Sequence, residues 1–211
     1  MKKTIFQFKV TIKGITPPVW RRILIPSEAT FYELHIAIQD SFAWEDYHLH
    51  EFYIGPAWDN NVPRICLPYP DDLNLFDEKE PYNEGETLLS AFFSEKQSKA
   101  TYVYDLGDSW EHTILLEKTL PFNQTAAYPQ VISGKRAGPW EDSGGPCGYQ
   151  EKIEILKNKN HEYYQEIADL LGVENINELD LEHFDPEEVT FRNAGTELQK
   201  LKKYLKINYL D

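Results

Sequence analysis

Residues 6–13 read Phe6-Gln-Phe-Lys-Val-Thr-Ile-Lys13, and their apolar and polar side chains alternate strictly. Because successive side chains of a β-strand point to opposite faces, this pattern predicts a strand with one buried face. Pro17-Pro18 follows as a turn signal, and residues 19–25 predict the returning strand, which stops at Pro26. The beginning of the chain therefore predicts a β-hairpin.

A helix follows this hairpin. Glu33 stands three residues after Thr30, which is the spacing of a capping box. Apolar side chains then recur at helical intervals as far as Phe42, so residues 31–42 predict an amphipathic helix. His35 lies on its apolar side and is interpreted as a hydrogen-bonding residue at the margin of the core.

Three more strands are predicted in the first two thirds of the chain. Residues 48–54 predict one strand, and residues 101–105 and 110–117 predict a second hairpin closed around Gly107-Asp108. The stretch from Pro56 to Glu86 is rich in Pro, Asp and Asn, which is typical of an excursion over the surface. A short edge strand is expected within it, near residues 64–67.

The last third of the chain predicts helices at residues 149–158, 161–171 and 186–205. We therefore expect an α+β fold, in which two hairpins and a further strand form a roll-like or β-grasp-like sheet with a helix packed across it. One domain is expected over residues 1–211, with a sheet-forming part at about 1–135 and a C-terminal helical part at about 145–211.

Charge and cysteine content restrict the function classes. The 35 acidic and 21 basic residues give a formal net charge of −14, which repels nucleic acids and anionic membrane surfaces. No apolar run approaches the roughly 20 residues needed to cross a bilayer, so a soluble, cytoplasmic protein without a membrane partner is expected. Cys66 and Cys147 are far apart and indicate neither a disulfide framework nor a thiolate zinc site.

Polar side chains that could carry chemistry concentrate in three segments, at residues 48–51, 105–112 and 140–146. On a strand, His48 and His50 would share one face, and a His-x-His pair is a known way to present two imidazoles to a metal ion. Adding His112 or a carboxylate would complete a nitrogen and oxygen ligand set for a divalent zinc, iron or manganese ion. The competing interpretation, which we prefer, is that these three histidines are hydrogen-bonded at the margin of the core.

The other candidates form a binding groove or act as bases. Glu111 and Glu141 are the candidate catalytic bases of a metal-dependent hydrolase. The Asp105 and Asp108 side chains also suit a tight turn, and the arginines at 21 and 22 are expected to pair internally with Glu51, Asp105 or Glu141. The groove candidates share an acidic, basic or aromatic side chain and are Arg21, Trp44, Glu51, Asp105, Asp108, Trp110 and Asp142.

These same segments resemble the Ri-plasmid open-reading-frame-three-like family. The resemblance spans about residues 5–190, and its motifs occur in order: Pro17-Pro-Val-Trp-Arg-Arg-Ile23, Leu34-His-x-x-Ile38-Gln39, Trp44, His48-Leu-His-Glu-Phe52, Tyr104-Asp-Leu-Gly-Asp-Ser-Trp-Glu-His112 and Arg136-Ala-Gly-Pro-Trp-Glu-Asp-Ser-Gly-Gly145. It implies an α+β domain found in bacteria and archaea, often beside mobile elements, without an established activity. Relatives place cysteine where this chain has Gly138 and Ser143, so no thiolate role is expected for that loop.

Three functions remain open on the sequence. The first is a binding or interaction module whose acidic, aromatic and histidine-lined groove takes a protein, a peptide or a small ligand. The second is a metal-dependent hydrolase that uses histidine and carboxylate ligands. The third is an accessory protein of a mobile element.

Overall fold

The computed structural model describes residues 3–67 and 80–209, with side chains as far as Tyr204. Its described strands form one eight-stranded sheet in the order β5-β4-β3-β6-β7-β1-β2-β8. All neighbours pair antiparallel except β4 and β5, which pair in parallel. The strands are β1 Thr4–Ile12, β2 Trp20–Pro26, β3 His50–Tyr53, β4 Arg64–Cys66, β5 Tyr82–Asn83, β6 Lys99–Tyr104, β7 Trp110–Pro121 and β8 Gln130–Lys135.

The described helices are α1 Phe31–Phe42, α2 Gly145–Leu156, α3 Tyr164–Leu171 and α4 Ala194–Tyr209. Together with the sheet they confirm the α+β class. The segment that begins at Pro186 is only a single 3-10 turn, and α4 starts later than predicted. Part of the expected surface excursion, residues 68–79, lies outside the described residues. In the described part of the chain, no helix is long and apolar enough to cross a membrane.

Helix α1 begins at the capping box that the sequence predicts. The Thr30 hydroxyl accepts a hydrogen bond from the Glu33 backbone N–H at 3.2 Å, and the Glu33 carboxylate accepts one from the Thr30 N–H at 2.6 Å. The helix packs across the sheet through fully buried aromatic rings, with Phe31 in edge contact with Phe52 of β3 at 5.2 Å between ring centres. Burial of such a ring contributes about 2–3 kcal/mol, so this contact fixes α1 on the sheet.

The register of the strands brings six strand ends to one end of the sheet. Strand β3 begins there and β6 ends there, while β7 begins beside them. The paired residues at this end are His50 with Tyr104, Tyr104 with Trp110, Ile12 with His112, Thr11 with Trp20, and Trp20 with Lys135. The loops that leave these strands therefore emerge next to one another.

Trp110 and His112 of β7 lie inside the core at this end, and the buried Trp44 packs against both of them. Trp110 and His112 are fully buried, and the Trp44 indole N–H donates to the Pro139 carbonyl oxygen at 2.7 Å. His112 contacts the Trp44 ring at 5.4 Å, and its Nδ1 lies 2.9 Å from the Trp110 carbonyl oxygen. Burial lowers the pKa of His112 to about 4, although hydrogen bonds with the backbone act in the opposite direction.

The buried His112 predicts a loss of stability in mild acid. Its imidazole is neutral in the folded state, whereas in the unfolded chain it binds a proton below about pH 6.5. The free energy of unfolding should therefore fall as the pH drops from 6.5 towards 4, by about 2 kcal/mol between pH 7 and pH 5. Urea unfolding of the wild type and of His112→Phe at both pH values measures this contribution. The variant should lose less stability over the interval, and an equal loss in both proteins would contradict the assignment.

Close backbone packing joins the loop after β8 to the end of α1. A Cβ atom on Gly138 would lie 2.0 Å from the Phe42 carbonyl oxygen, a distance that real atoms do not adopt. The loop can therefore approach α1 this closely only because residue 138 is glycine.

Gly138→Ala is accordingly predicted to lower the free energy of unfolding by about 3 kcal/mol, because the backbone itself must move to admit the methyl group. Gly195→Ala is the matched control, since a Cβ there meets no atom closer than 3.4 Å and the position is helical. The control should be neutral or slightly stabilising. Denaturant unfolding of the two variants compares them directly, and similar stabilities would refute the steric argument.

Candidate metal centre

The three polar segments predicted to form a site meet at the end of the sheet. The Gly144 backbone N–H donates to Asp108 Oδ2 at 2.9 Å, which links the loop before α2 to the turn before β7. The Glu141 carboxylate accepts from the Glu45 backbone N–H at 2.6 Å and from the Tyr104 hydroxyl. The loops that carry residues 105–109 and 140–144 are thus tied to each other and to the loop after α1.

His48 lies at the centre of this junction. Its Nε2 is 3.0 Å from Asp142 Oδ1 and 3.8 Å from Asp105 Oδ2, so each of the three segments contributes one side chain. This nitrogen is shielded from solvent and forms no hydrogen bond, although Asp142 Oδ1 lies only 3.0 Å from it. We call this group of three residues the His48 centre.

The two aspartates are held by tight turns. Asp105 and Asp142 both have left-handed backbone conformations, with φ values of 54° and 55°. Asp105 Oδ1 accepts hydrogen bonds from the backbone N–H groups of Gly107 and Asp108 at 2.9 and 3.1 Å. Its other oxygen, Oδ2, faces His48. The turn chemistry expected for Asp105 is thus present and leaves one oxygen available.

The His48 centre has the composition and spacing of a transition-metal site. Ligand atoms about 2.0–2.1 Å from one ion lie about 3.0–3.4 Å apart in octahedral or tetrahedral geometry. The 3.0 Å from His48 Nε2 to Asp142 Oδ1 fits this range, and the 3.8 Å to Asp105 Oδ2 is slightly longer. One imidazole and two carboxylates suit zinc, iron or manganese. The Asp142 side chain is 72% exposed and that of His48 is 29% exposed, which leaves one side of the centre open to solvent.

A second cluster lies deeper in the molecule, where His50 of β3 meets α1. His35 Nε2 is 2.9 Å from Asp46 Oδ1, and His50 Nε2 is 2.8 Å from a carboxylate oxygen of the fully buried Glu84. His35 Nδ1 lies 2.8 Å from the Tyr102 hydroxyl, so His35 is hydrogen-bonded in the core as the sequence predicts.

The geometry of this second cluster does not suit a shared ion. The rings of His35 and His50 are stacked, with centres 3.4 Å apart and planes 3° from parallel. Each imidazole binds a metal ion in its own ring plane, and one ion cannot lie in two parallel planes that are this far apart. The pair instead suits one neutral and one charged ring.

The charges around the stacked rings favour that arrangement. Burial and the neighbouring His50 lower the pKa of His35, although Asp46 acts in the opposite direction. Burial alone would lower the pKa of His50, but the charge and hydrogen bond of Glu84 raise it above its ordinary value. A proton on this pair therefore resides on His50, next to Glu84.

The predicted set of three histidines does not form one cluster in the described part of the chain. His48 precedes β3 instead of lying on it, so the expectation that it shares a strand face with His50 is wrong. His50 belongs to the second cluster, and His112 belongs to neither. The prediction failed because the strand begins two residues later than the apolar pattern indicates.

The two candidate bases are engaged by other groups. Glu111 pairs with Lys13 at 2.5 Å. Both oxygens of Glu141 accept hydrogen bonds, from Tyr104 and from the Glu45 backbone. Neither carboxylate belongs to the His48 centre.

The arginines and Glu51 make other contacts than those expected. Arg21 is buried, donates to the backbone carbonyl oxygens of Ser41, Trp20 and Lys135, and pairs with no carboxylate among the described residues. Arg22 pairs with Glu117 at 2.6 Å. Glu51 pairs with Arg64 at 3.0 Å. In the described part of the chain, neither Arg21 nor Arg22 bonds to Glu51, Asp105 or Glu141.

Sequence reasoning missed Asp46 and Glu84. Asp46 has a left-handed φ of 66° in an irregular loop, and Glu84 follows the two-residue strand β5. Neither lies in a periodic pattern or in a motif. The only sequence signal was the position of Asp46, two residues before His48.

Comparison with known proteins places the chain in a family. Residues 4–191 match the family described as plasmid pRiA4b ORF-3-like protein. The chain is 31% identical over 178 residues to the uncharacterized protein y4hQ of Sinorhizobium fredii, which covers 82% of this chain and 83% of that protein. The crystal structure of MM3350, a protein of unknown function from Methanosarcina mazei Go1, is similar with a TM-score of 0.77 and 39% identity. That similarity covers 90% of this chain and 100% of MM3350. The chain therefore belongs to the plasmid pRiA4b ORF-3-like family.

Proposed function

We propose that this protein is a binding module that holds a divalent transition-metal ion at the His48 centre and offers the open side of that ion to a small ligand. One observation carries the proposal. His48 Nε2 is shielded from solvent, has no hydrogen-bond partner, and lies 3.0 and 3.8 Å from two carboxylate oxygens. A shielded imidazole nitrogen without a partner is costly, and an ion between the three side chains would satisfy it.

The ligand types favour a borderline metal over a hard one. Mg²⁺ and Ca²⁺ prefer all-oxygen sites, whereas an imidazole with carboxylates suits Zn²⁺, Mn²⁺ or Fe²⁺. Three protein ligands with one open side are typical of centres that exchange ligands, in contrast to closed structural zinc sites. The exposure of Asp142 supports an open centre of this kind.

Binding is favoured over hydrolysis. A bound ion alone can activate water, but the hydrolase hypothesis assigned the base to Glu111 or Glu141. Glu111 is paired with Lys13, and both oxygens of Glu141 accept hydrogen bonds, so neither supports that role. The accessory role in a mobile element has only the family resemblance behind it, and the net charge of −14 opposes contact with DNA.

The metal proposal predicts one ion per chain. Chelator-treated protein, dialysed and titrated with Zn²⁺ or Mn²⁺ in a calorimeter, should bind one equivalent, and elemental analysis should find it after gel filtration. His48→Ala and Asp142→Asn should each weaken binding by at least about 100-fold, because each removes a ligand of the ion.

His183→Ala is the matched control, since His183 is an exposed histidine that pairs with Glu188 and is not part of the His48 centre. This variant should bind like the wild type. If His48→Ala binds the metal ion as tightly as the wild type, the ion lies at another site. If the wild type binds no ion, the proposal is wrong. Thermal unfolding of each variant verifies that it remains folded.

A further inference from the structure

A second candidate binding site lies beside the junction of the three loops. A cavity of about 700 Å³ opens between the end of α1, the loop at residues 137–141 and the segment at residues 183–190. Four aromatic side chains line it: Trp140 and Phe184 are partly exposed, whereas Phe42 and Trp44 are buried. We call it the aromatic groove.

The rim of the aromatic groove is acidic. Asp40 is neutralised by Arg192, whose Nε lies 2.5 Å from Asp40 Oδ1. Four further carboxylates line the groove, namely Glu45, Glu141, Asp185 and Glu188. Glu188 pairs with His183 at 2.6 Å, and in the described part of the chain no cationic side chain pairs with the other three.

The one guanidinium group of the groove is part of its wall. Arg21 donates to three backbone carbonyl oxygens, the nearest being that of Ser41 at 2.6 Å. Its Cζ atom lies over the rings of Phe42 and Phe184, 4.7 and 3.8 Å from their centres. Burial lowers the pKa of Arg21 to about 9, which fits a group that is sequestered from solvent and not arranged to attract an anion.

We propose that the aromatic groove binds a small organic cation, a protonated alkylamine whose ammonium groups face the acidic rim while its alkyl chain lies against Trp140 and Phe184. Carboxylates at the rim of a low-dielectric cleft attract cations, and the faces of tryptophan and phenylalanine rings stabilise them further. A volume of about 700 Å³ is in the range of pockets that enclose small molecules, which favours a free amine over a chain of a protein partner.

The proposal is independent of the metal ion, because its residues are not those of the His48 centre. Its test therefore uses chelator-treated protein. Titration with spermidine, a linear polyamine, and with 1,8-octanediol, a neutral chain, separates charge recognition from apolar binding. Spermidine should bind with one dominant site and quench tryptophan fluorescence, since Trp44 and Trp140 line the groove. The diol should bind at least about tenfold more weakly, because it lacks the charges that the carboxylates attract.

Two double variants distinguish the groove from the acidic surface in general. Glu45→Gln/Asp185→Asn removes two rim charges that no cation neutralises and should weaken spermidine binding at least about tenfold. Glu151→Gln/Glu166→Gln makes the same change of net charge at exposed positions of α2 and α3, and should leave the affinity within about twofold.

Three results would overturn the proposal. One is the absence of spermidine binding to the wild type. Another is an equal loss of affinity in both double variants, which would show attraction to the overall charge of −14. The third is binding of a lysine-rich peptide without binding of spermidine, which would assign the groove to a protein partner.

Discussion

The antiparallel pairing of β1 with β7 is the constraint on which the rest of the molecule depends. It runs from Thr4 opposite Pro121 to Ile12 opposite His112 and joins the first hairpin to the second. Because a shift of one residue would exchange the buried and exposed faces of a strand, the fully buried Phe8 and Val10 fix this register strongly. The positions of all the loops at the end of the sheet follow from it, including those that carry His48, Asp105 and Asp142.

The two histidine clusters show different ways of placing an imidazole near carboxylates. At the stacked pair, each ring faces its own acid, and Glu84 supports a positive charge on His50. At the His48 centre, one imidazole meets two acids and forms no hydrogen bond to either. His35 Nε2, like His48 Nε2, forms no hydrogen bond, but the rings of the stacked pair are buried and parallel, whereas the His48 centre has an open side at the exposed Asp142. This difference, more than the number of ligand-type residues, separates the metal candidate from a buried ion pair.

Local features were predictable from the sequence, and features that depend on distant pairing were not. Alternation identified β1, and Thr30 with Glu33 identified the start of α1, because each of these signals is made by residues that are close together in the sequence. Strand β8 was missed, and its residues form a strand because β2 supplies their hydrogen-bond partners. One side chain from each of the three polar segments lies near the other two, but the partners of the individual residues were not predictable. Arg21 contacts backbone oxygens instead of an acid, because the Ser41 carbonyl oxygen at the end of α1 lies 2.6 Å from its Nε.

Strand β5, at one edge of the sheet, contains only Tyr82 and Asn83. An edge this short presents few unpaired backbone groups, so it is a poor template for a strand from another molecule. At the opposite edge, β8 has a register shift against β2, and the Phe184 ring lies over Gly134 near its end. Irregular and obstructed edges of this kind discourage the sheet from growing by self-association. A stable acidic protein of this design can thus keep several aromatic side chains near its surface without exposing a strand that would drive aggregation.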